Sequence, residues 1–294
     1  MQDSIKERVN GILTTNGLDF EIQKEMLLGT SGRPTPFFGL YNSKTNECIN
    51  TVKEGYTISQ NSEVVEMVLR GMEPFGGELS VHKAGSLNGG RKIFLQLGIE
   101  GTSRVGNDTI KRYVTIIDSN DGSTGLSVGI GDLTMSCQNQ FFYFYKNGQA
   151  KMRHTASLEA KIKEIPSLIE LALNQSIRQI GVYERFVDTS ISDNDIHKMV
   201  NLHLGLSKLS SIQDTIDASS KTINAMESLY EMIRIETAQK GKNVWGLHSG
   251  VTRWTTHEKS APRRENGRIE SAMLSTNYRT NQTSFEFARE LAMV

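Results

Sequence analysis

Five consecutive aromatics, Phe141 to Tyr145, are followed within ten residues by Lys146, Lys151 and Arg153. Rings beside cations suit single-stranded nucleic acid, because every base offers a π-face to stack on and every phosphate a charge to neutralise. Five adjacent rings cannot share one face of a strand or helix, so some of Phe141, Phe142 and Phe144 are expected in the core. Tyr143 or Tyr145, with a polar tip, is expected nearer the surface. Other patterns suggest bond chemistry and weaken on inspection. Cys137 and His154 have the types of a nucleophile and base, but Cys137 sits in an apolar context that favours packing as a small hydrophobe. Asp118, Asp121 and Asp132 are carboxylates of the kind that hold a divalent metal in nucleases, yet they flank an Asp-Gly turn and match no calcium loop. His197 and His203 are six apart and His248 and His257 nine apart, so neither pair has ligand spacing on a helix. The run GSLNGGR, residues 85–91, lacks the order of a phosphate-binding loop and reads as a turn. No catalytic residue, metal or cofactor is assigned.

The chain has 294 residues, with 33 Lys plus Arg against 33 Asp plus Glu, and its net charge is zero. That balance excludes a polycation and an acidic, charge-expanded disordered chain. The neutrality is a cancellation. Residues 81–115, 146–163 and 241–268 each carry net +4, against net −4 for residues 1–80 and net −3 for residues 188–240. Basic segments in a neutral protein can converge on one nucleic-acid site or lie apart on a solvated surface. No apolar run is long enough for a membrane span and the first residues lack the apolar centre of a signal peptide, so a cytoplasmic protein is expected. The 2 cysteines, Cys48 and Cys137, are too few for a disulfide framework, which fits a reducing compartment.

These groups must be positioned by two kinds of element. From about Phe37 to Asp132, β-branched and aromatic runs alternate with Gly, Asn and Asp, the signature of strands joined by tight turns. A helix starting near Asn61 or Ser62 interrupts them, with Val64, Val65, Val68 and Leu69 at helical spacing. Beyond Cys137 the period becomes helical: Leu158, Ile162, Ile165, Ile169, Leu173, Ile177 and Ile180, with Pro166 starting a new helix or kinking this one; then a helix capped by Ser192 or Asp193; then a run ending at Gly241. The fold class is therefore α+β, with an antiparallel meander or hairpin sheet and flanking helix in the N-terminal half and a mostly helical C-terminal half. The expected divisions are a helical segment at 1–36, an α+β sheet region at 37–155, a helical region at 156–268 packed on it, and a tail or arm at 269–294.

The ordered motifs GYTISQN (55–61), AGSLNGGRKIFLQL (84–97), DGS (121–123), SCQNQ (136–140), RHT (153–155) and NVWGLHSGVTRWTTHE (243–258) carry a resemblance. The chain resembles the phage/plasmid-like proteins of unknown function encoded by bacteriophages and plasmids. It departs from that family at Asn120, where His is usual; at Gln140, where Thr is usual; and at His248 and Ser249, where Asn-Ala is usual. A sheet followed by helices is also similar in layout to phage single-strand annealing proteins of the Red-beta and RecT group, an analogy at the level of fold. The expectation is a phage protein that binds single-stranded DNA and acts as a homo-oligomer in annealing, alongside phage or host recombination proteins. Arg91, Lys92, Lys111, Arg112, Lys146, Lys151 and Arg153 would contact phosphates, and Tyr143 or Tyr145 would stack a base. Annealing makes no covalent bond, so it needs no catalytic group. Two rivals follow from the same residues: a metal-dependent nuclease using Asp118, Asp121, Asp132 and His154, and a regulatory factor that binds a host protein through the acidic helices at 188–240.

Overall fold

A computed structural model describes residues 2–75, 79–136, 138–144, 151–152, 164–204, 220–264 and 266–293. In chain order the elements are α1 (Gln2–Thr15), β1 (Ile22–Leu28), β2 (Pro34–Asn42), β3 (Cys48–Lys53), α2 (Asn61–Met72), β4 (Leu79–Leu87), β5 (Lys92–Ile99), β6 (Ser103–Val105), β7 (Asp108–Ser119), β8 (Leu126–Thr134), β9 (Gln140–Phe144) and β10 (Lys151–Met152). The helical half follows: α3 (Ile165–Asp188), α4 (Asp193–Leu204), α5 (Ser220–Lys240), α6 (Val244–Arg253), a π-helical turn at Trp254–Glu258, α7 (Gly267–Leu274) and α8 (Thr276–Ala292). This is the α+β arrangement read from the periodicities. All strand pairs are antiparallel, in a small sheet β1-β2-β3 and a larger one ordered β10-β8-β7-β5-β4, with β6 on β7 and β9 on β8.

Local chemistry accounts for the element ends. Asn88, Gly89 and Gly90 all have positive φ, so GSLNGGR is the turn between β4 and β5. Pro166 sits in the first turn of α3, where its missing N–H costs nothing. Ser192 caps α4 reciprocally with Asp195: Ser192 N–H donates to Asp195 Oδ2 at 3.0 Å and Asp195 N–H to Ser192 Oγ at 3.3 Å. For α2 the cap is Gln60 rather than Asn61 or Ser62, because the buried Asn61 amide instead donates to Leu18 O at 2.9 Å.

The large sheet is covered on one face by α1, α2 and the first half of α3, burying Val68, Leu69, Leu95, Leu97, Val114, Ile116, Val128, Ile130 and Ile169 together. Farther along α3, Tyr183 and Phe186 pack with Trp245, Leu247, Val251 and Phe285 of α6 and α8. On the opposite sheet face α7 sits down, placing Ile269, Ala272 and Met273 against Phe94, Ile117 and Phe142. Helices α5 and α6 touch closely: a Cβ added at Gly250 would lie 2.5 Å from Ile233 Cα.

Two expectations about the divisions change. Strands begin at Ile22, inside the segment expected to be helical at 1–36. Residues 269–294, expected as a tail or arm, are instead α7 and α8, with Phe285 and Ala288 buried. The polar composition that suggested a tail is buried and bonded. Asn277 Nδ2 donates to Thr255 O at 2.9 Å, Thr255 Oγ1 to Asn281 Oδ1 at 2.7 Å, and Gln282 Nε2 to Phe142 O at 2.6 Å.

Sheet and helices are joined by a buried ionic network. Lys240 bonds Asp108 and lies 3.3 Å from Glu236. Glu236 also pairs with Arg253 at 3.0 Å, while Asp108 accepts from Trp245 Nε1 at 2.8 Å and Ser136 Oγ at 2.7 Å. Lys240→Met leaves Asp108 and Glu236 buried without their shared cation, and we predict a loss of about 3–5 kcal/mol in urea unfolding. A loss below about 1 kcal/mol would show that the network is not a structural hub.

Candidate nucleic-acid interface

Strand alternation sorts the residues of β7 onto two faces. Ile110, Arg112, Val114 and Ile116 face the helices; Lys111, Tyr113, Thr115 and Ile117 face the side that α7 only partly covers. Across that second face the register aligns Lys83 with Gln96 and Gln96 with Thr115, and in the next row Gly98 with Tyr113, Gly131 and Phe142. Gly98 and Gly131 flank Tyr113 without side chains; on the Gly131 side lies a cavity of about 140 Å³ lined by His82, Lys83, Gln96, Tyr113, Gln140 and Phe142, among others. The register shifts between Val81 and Lys83, a bulge at His82 that brings its ring to 4.7 Å from that of Tyr113. Burial, then Lys111 and Lys83, hold the His82 imidazole below its usual pKa and favour its neutral form.

The cavity opens into a cleft of about 970 Å³ that shares Lys83, Gln140 and Ile269 with it. The cleft's other wall is the segment between the π-helical turn and α7. Lys83, Arg263, Arg264 and Arg268 line it, and no described carboxylate does. All four cations are exposed. Arg264 pairs with Glu270 at 2.8 Å, and Arg268 Nη1 donates to Thr256 O at 2.9 Å. Lys83 and Arg263 form no ion pair among the described residues. On the other side the cavity shares His82 and Tyr113 with a hollow of about 360 Å³ that Lys111 lines. Cations from the first and third basic segments, separated by more than 150 residues in sequence, thus share one face.

The residues expected to contact phosphate are not gathered there. Of them, only Lys111 has its side chain placed on this face. Lys92 is buried and paired with Asp121 at 2.5 Å, which holds Asp121 in its charged form. Arg112 lies on the helix-covered face, where Nη1 donates to Ser176 Oγ at 3.0 Å beside Asp132. Arg91 is exposed at the far end of β5, near Cys48. Tyr143 and Lys151 fall in β9 and β10, but their side chains, like all of Tyr145, Lys146 and Arg153, lie outside the described residues, as do Cys137 and His154. Phe141 and Phe142 are both buried, on opposite faces of β9. The three aspartates considered for metal do not converge: Asp121 serves Lys92, Asp132 accepts from Tyr183 at 2.7 Å, and among the described residues no three His, Cys, Asp or Glu groups could hold an ion together. Sequence reasoning missed Lys83, Arg263, Arg264 and Arg268, although their segments had been counted as basic.

One family model matches residues 48–288. The chain belongs to DUF932, a domain of unknown function. No curated protein and no solved structure matches it. In this DUF932 chain most motif residues build the frame: Tyr56 and Asn120 join the two sheets, Asn139 Nδ2 donates to Glu236 Oε1 at 3.4 Å and Ser249 O at 3.2 Å, and Trp245 bonds Asp108. No helix among the described residues is long and apolar enough to cross a membrane.

Two buried groups of the DUF932 frame oppose each other in acid. Burial pushes the His248 imidazole down to about 3, and nearby His203 and Lys240 add to the shift. His248 is therefore neutral in the fold, and its contribution to stability, complete above pH 6.5, is lost as pH falls. Burial pushes the Asp132 carboxyl up to about 6 against the hydrogen bond from Tyr183, so its contribution is present in acid and lost as pH rises through 6. The double variant His248→Asn, Ser249→Ala removes only the first effect. Between pH 7 and pH 5 the stability difference between wild type and variant, from urea unfolding, is expected to move by about 2 kcal/mol in the variant's favour. A difference independent of pH would contradict the neutral, buried state of His248.

Proposed function

We propose that this protein binds single-stranded DNA across the open face of its larger sheet. The observation that carries the reading is the cleft lined by Lys83, Arg263, Arg264 and Arg268 with no described carboxylate in its wall. Lys83, Arg263 and Arg268, which form no ion pair among the described residues, favour a polyanion, and binding releases that polyanion's condensed ions. Tyr113 and His82 beside the cleft favour single strands over duplex, because only unpaired bases offer their faces and edges to a sheet. The resemblance to phage and plasmid proteins supports an origin on a mobile element and action in the host cytoplasm. Annealing follows from the same chemistry: a strand held by its phosphates keeps base edges available for pairing. Long strands require several copies side by side, so the reading includes a homo-oligomer.

A fluorescence-anisotropy titration with a labelled oligonucleotide at several salt concentrations tests this. With four phosphates neutralised, log K is expected to fall with log salt at a slope of about −3, with single strands preferred over duplex. Arg263→Ala with Arg268→Ala, both exposed, is expected to reduce that slope by about 1.4 and weaken all sequences alike. Absence of binding at low salt would overturn the proposal.

A further inference from the structure

The cavity beside Tyr113 has features that phosphate binding does not require. Its one hydroxyl-bearing side chain is deeply buried: Tyr113 is 4% exposed, and Tyr113 Oη has no hydrogen-bond partner among the described residues. The side-chain amides of Gln96 and Gln140, which line the same cavity, also form no hydrogen bond among the described residues. Buried polar groups are ordinarily paired, so a cluster of unpaired donors and acceptors around one hollow marks a place where something else supplies the partners. Gly131, on the hollow's floor, contributes no side chain. A Cβ at Gly131 would lie 2.8 Å from the Phe142 ring and 3.2 Å from Thr115 Oγ1. The ring of Phe142 and the side chain of Ile269 are its apolar walls, and the tilted His82 and Tyr113 rings stand at its other side.

A planar, polar-edged heterocycle matches this set: its faces meet Phe142, Ile269 and Tyr113, while its edge meets a hydroxyl and amides that can both donate and accept. At about 140 Å³ the space suits one pyrimidine rather than a whole nucleoside. Lys83 belongs to both the cavity and the basic cleft, so a base held here would have its own phosphate at the cations. We infer that this cavity accepts one unstacked pyrimidine base of a strand lying in the basic cleft. The inference rests on the strand-binding reading and adds a base-recognition site to it. Base and phosphate are held by separate groups, Tyr113, Gln96 and Gln140 for the one and Arg263, Arg264 and Arg268 for the other.

The test compares an oligo-dT with an abasic oligonucleotide of equal length, titrated at one low salt concentration with the full chain. Wild type is expected to bind the dT strand about tenfold tighter, the scale of one stacked and hydrogen-bonded base. Tyr113→Phe removes a hydroxyl and Gln96→Met an amide with little change of volume; each is expected to bring that ratio toward one while binding of the abasic strand stays unchanged. Arg263→Ala with Arg268→Ala is expected to weaken both strands equally and preserve the ratio. Equal binding of the two strands by wild type, or an unchanged ratio in both the Tyr113 and the Gln96 variant, would overturn the base site and leave strand binding intact. No binding of either strand would overturn both. Fluorescence change of a pyrrolo-dC placed within the oligonucleotide, read with wild type alone, decides the same point if a variant fails to fold: no change on saturation overturns the site.

Discussion

The pairing of Asp108 and Glu236 with Lys240 and Arg253 is the constraint on which the rest of the molecule depends. Two carboxylates and the Lys240 ammonium are withdrawn from water at the junction of β7, α5 and α6, with the half-buried Arg253 beside them. Such a cluster is tolerable only when every member has its partner, because an isolated buried charge is far more costly than the pair is favourable. The charges therefore act less as glue than as a register. Helix α5 cannot slide along the sheet without separating Lys240 from Asp108, and α6 cannot turn without removing Trp245 Nε1 from the same carboxylate. Asn139 connects the start of β9 to Glu236 and to the backbone of α6, which ties the last strands into the same arrangement.

With α6 held, the path of the chain after it is determined. The helix ends in a π-helical turn at Trp254–Glu258, where Lys259 lies over the Trp254 ring and bonds Thr280. The chain then crosses the open face of the sheet, and Asn266 anchors it to Ser86 O of β4 before α7 begins. That anchor places Arg263, Arg264 and Arg268 opposite Lys83. The basic cleft is thus a consequence of how a helix hairpin is fastened on one side of a sheet. It faces away from the large apolar core, where its cations are exposed to water.

Motif residues divide along the same line. Trp245, Asn139, Asn61, Gln60 and Asn120 each bond backbone or a buried charge, which explains why polar residues recur in stretches that pack as core. Their function is architectural, and no metal or nucleophile is needed to account for them. The cleft takes its cations from outside the recognised motifs, Arg263, Arg264 and Arg268 and a lysine placed one residue after a bulge, while Gln138, Gln140, Thr256 and His257 of the motifs complete its lining.

The sequence alone determined what depends on neighbours along the chain. Alternation in β5, β7 and β8, the three left-handed residues of the GSLNGGR turn, the caps at Ser192 and Gly241, and Pro166 at the start of α3 act over a few residues, and the α+β class follows from them. It also located the three basic segments. Tertiary structure decided which cations are free to meet a ligand and which are not. Lys92 and Arg112 lie in the same segment as Lys83 and have the same charge, but Asp121 neutralises the one, while Ser176 and the neighbouring Asp132 hold the other under a helix. Arg263 and Lys83 meet only because two distant elements pack. Charge compensation acts through space at distances of a few ångströms, and a cavity is made by side chains that are absent from adjacent strands; neither quantity is written in the order of residues along the chain.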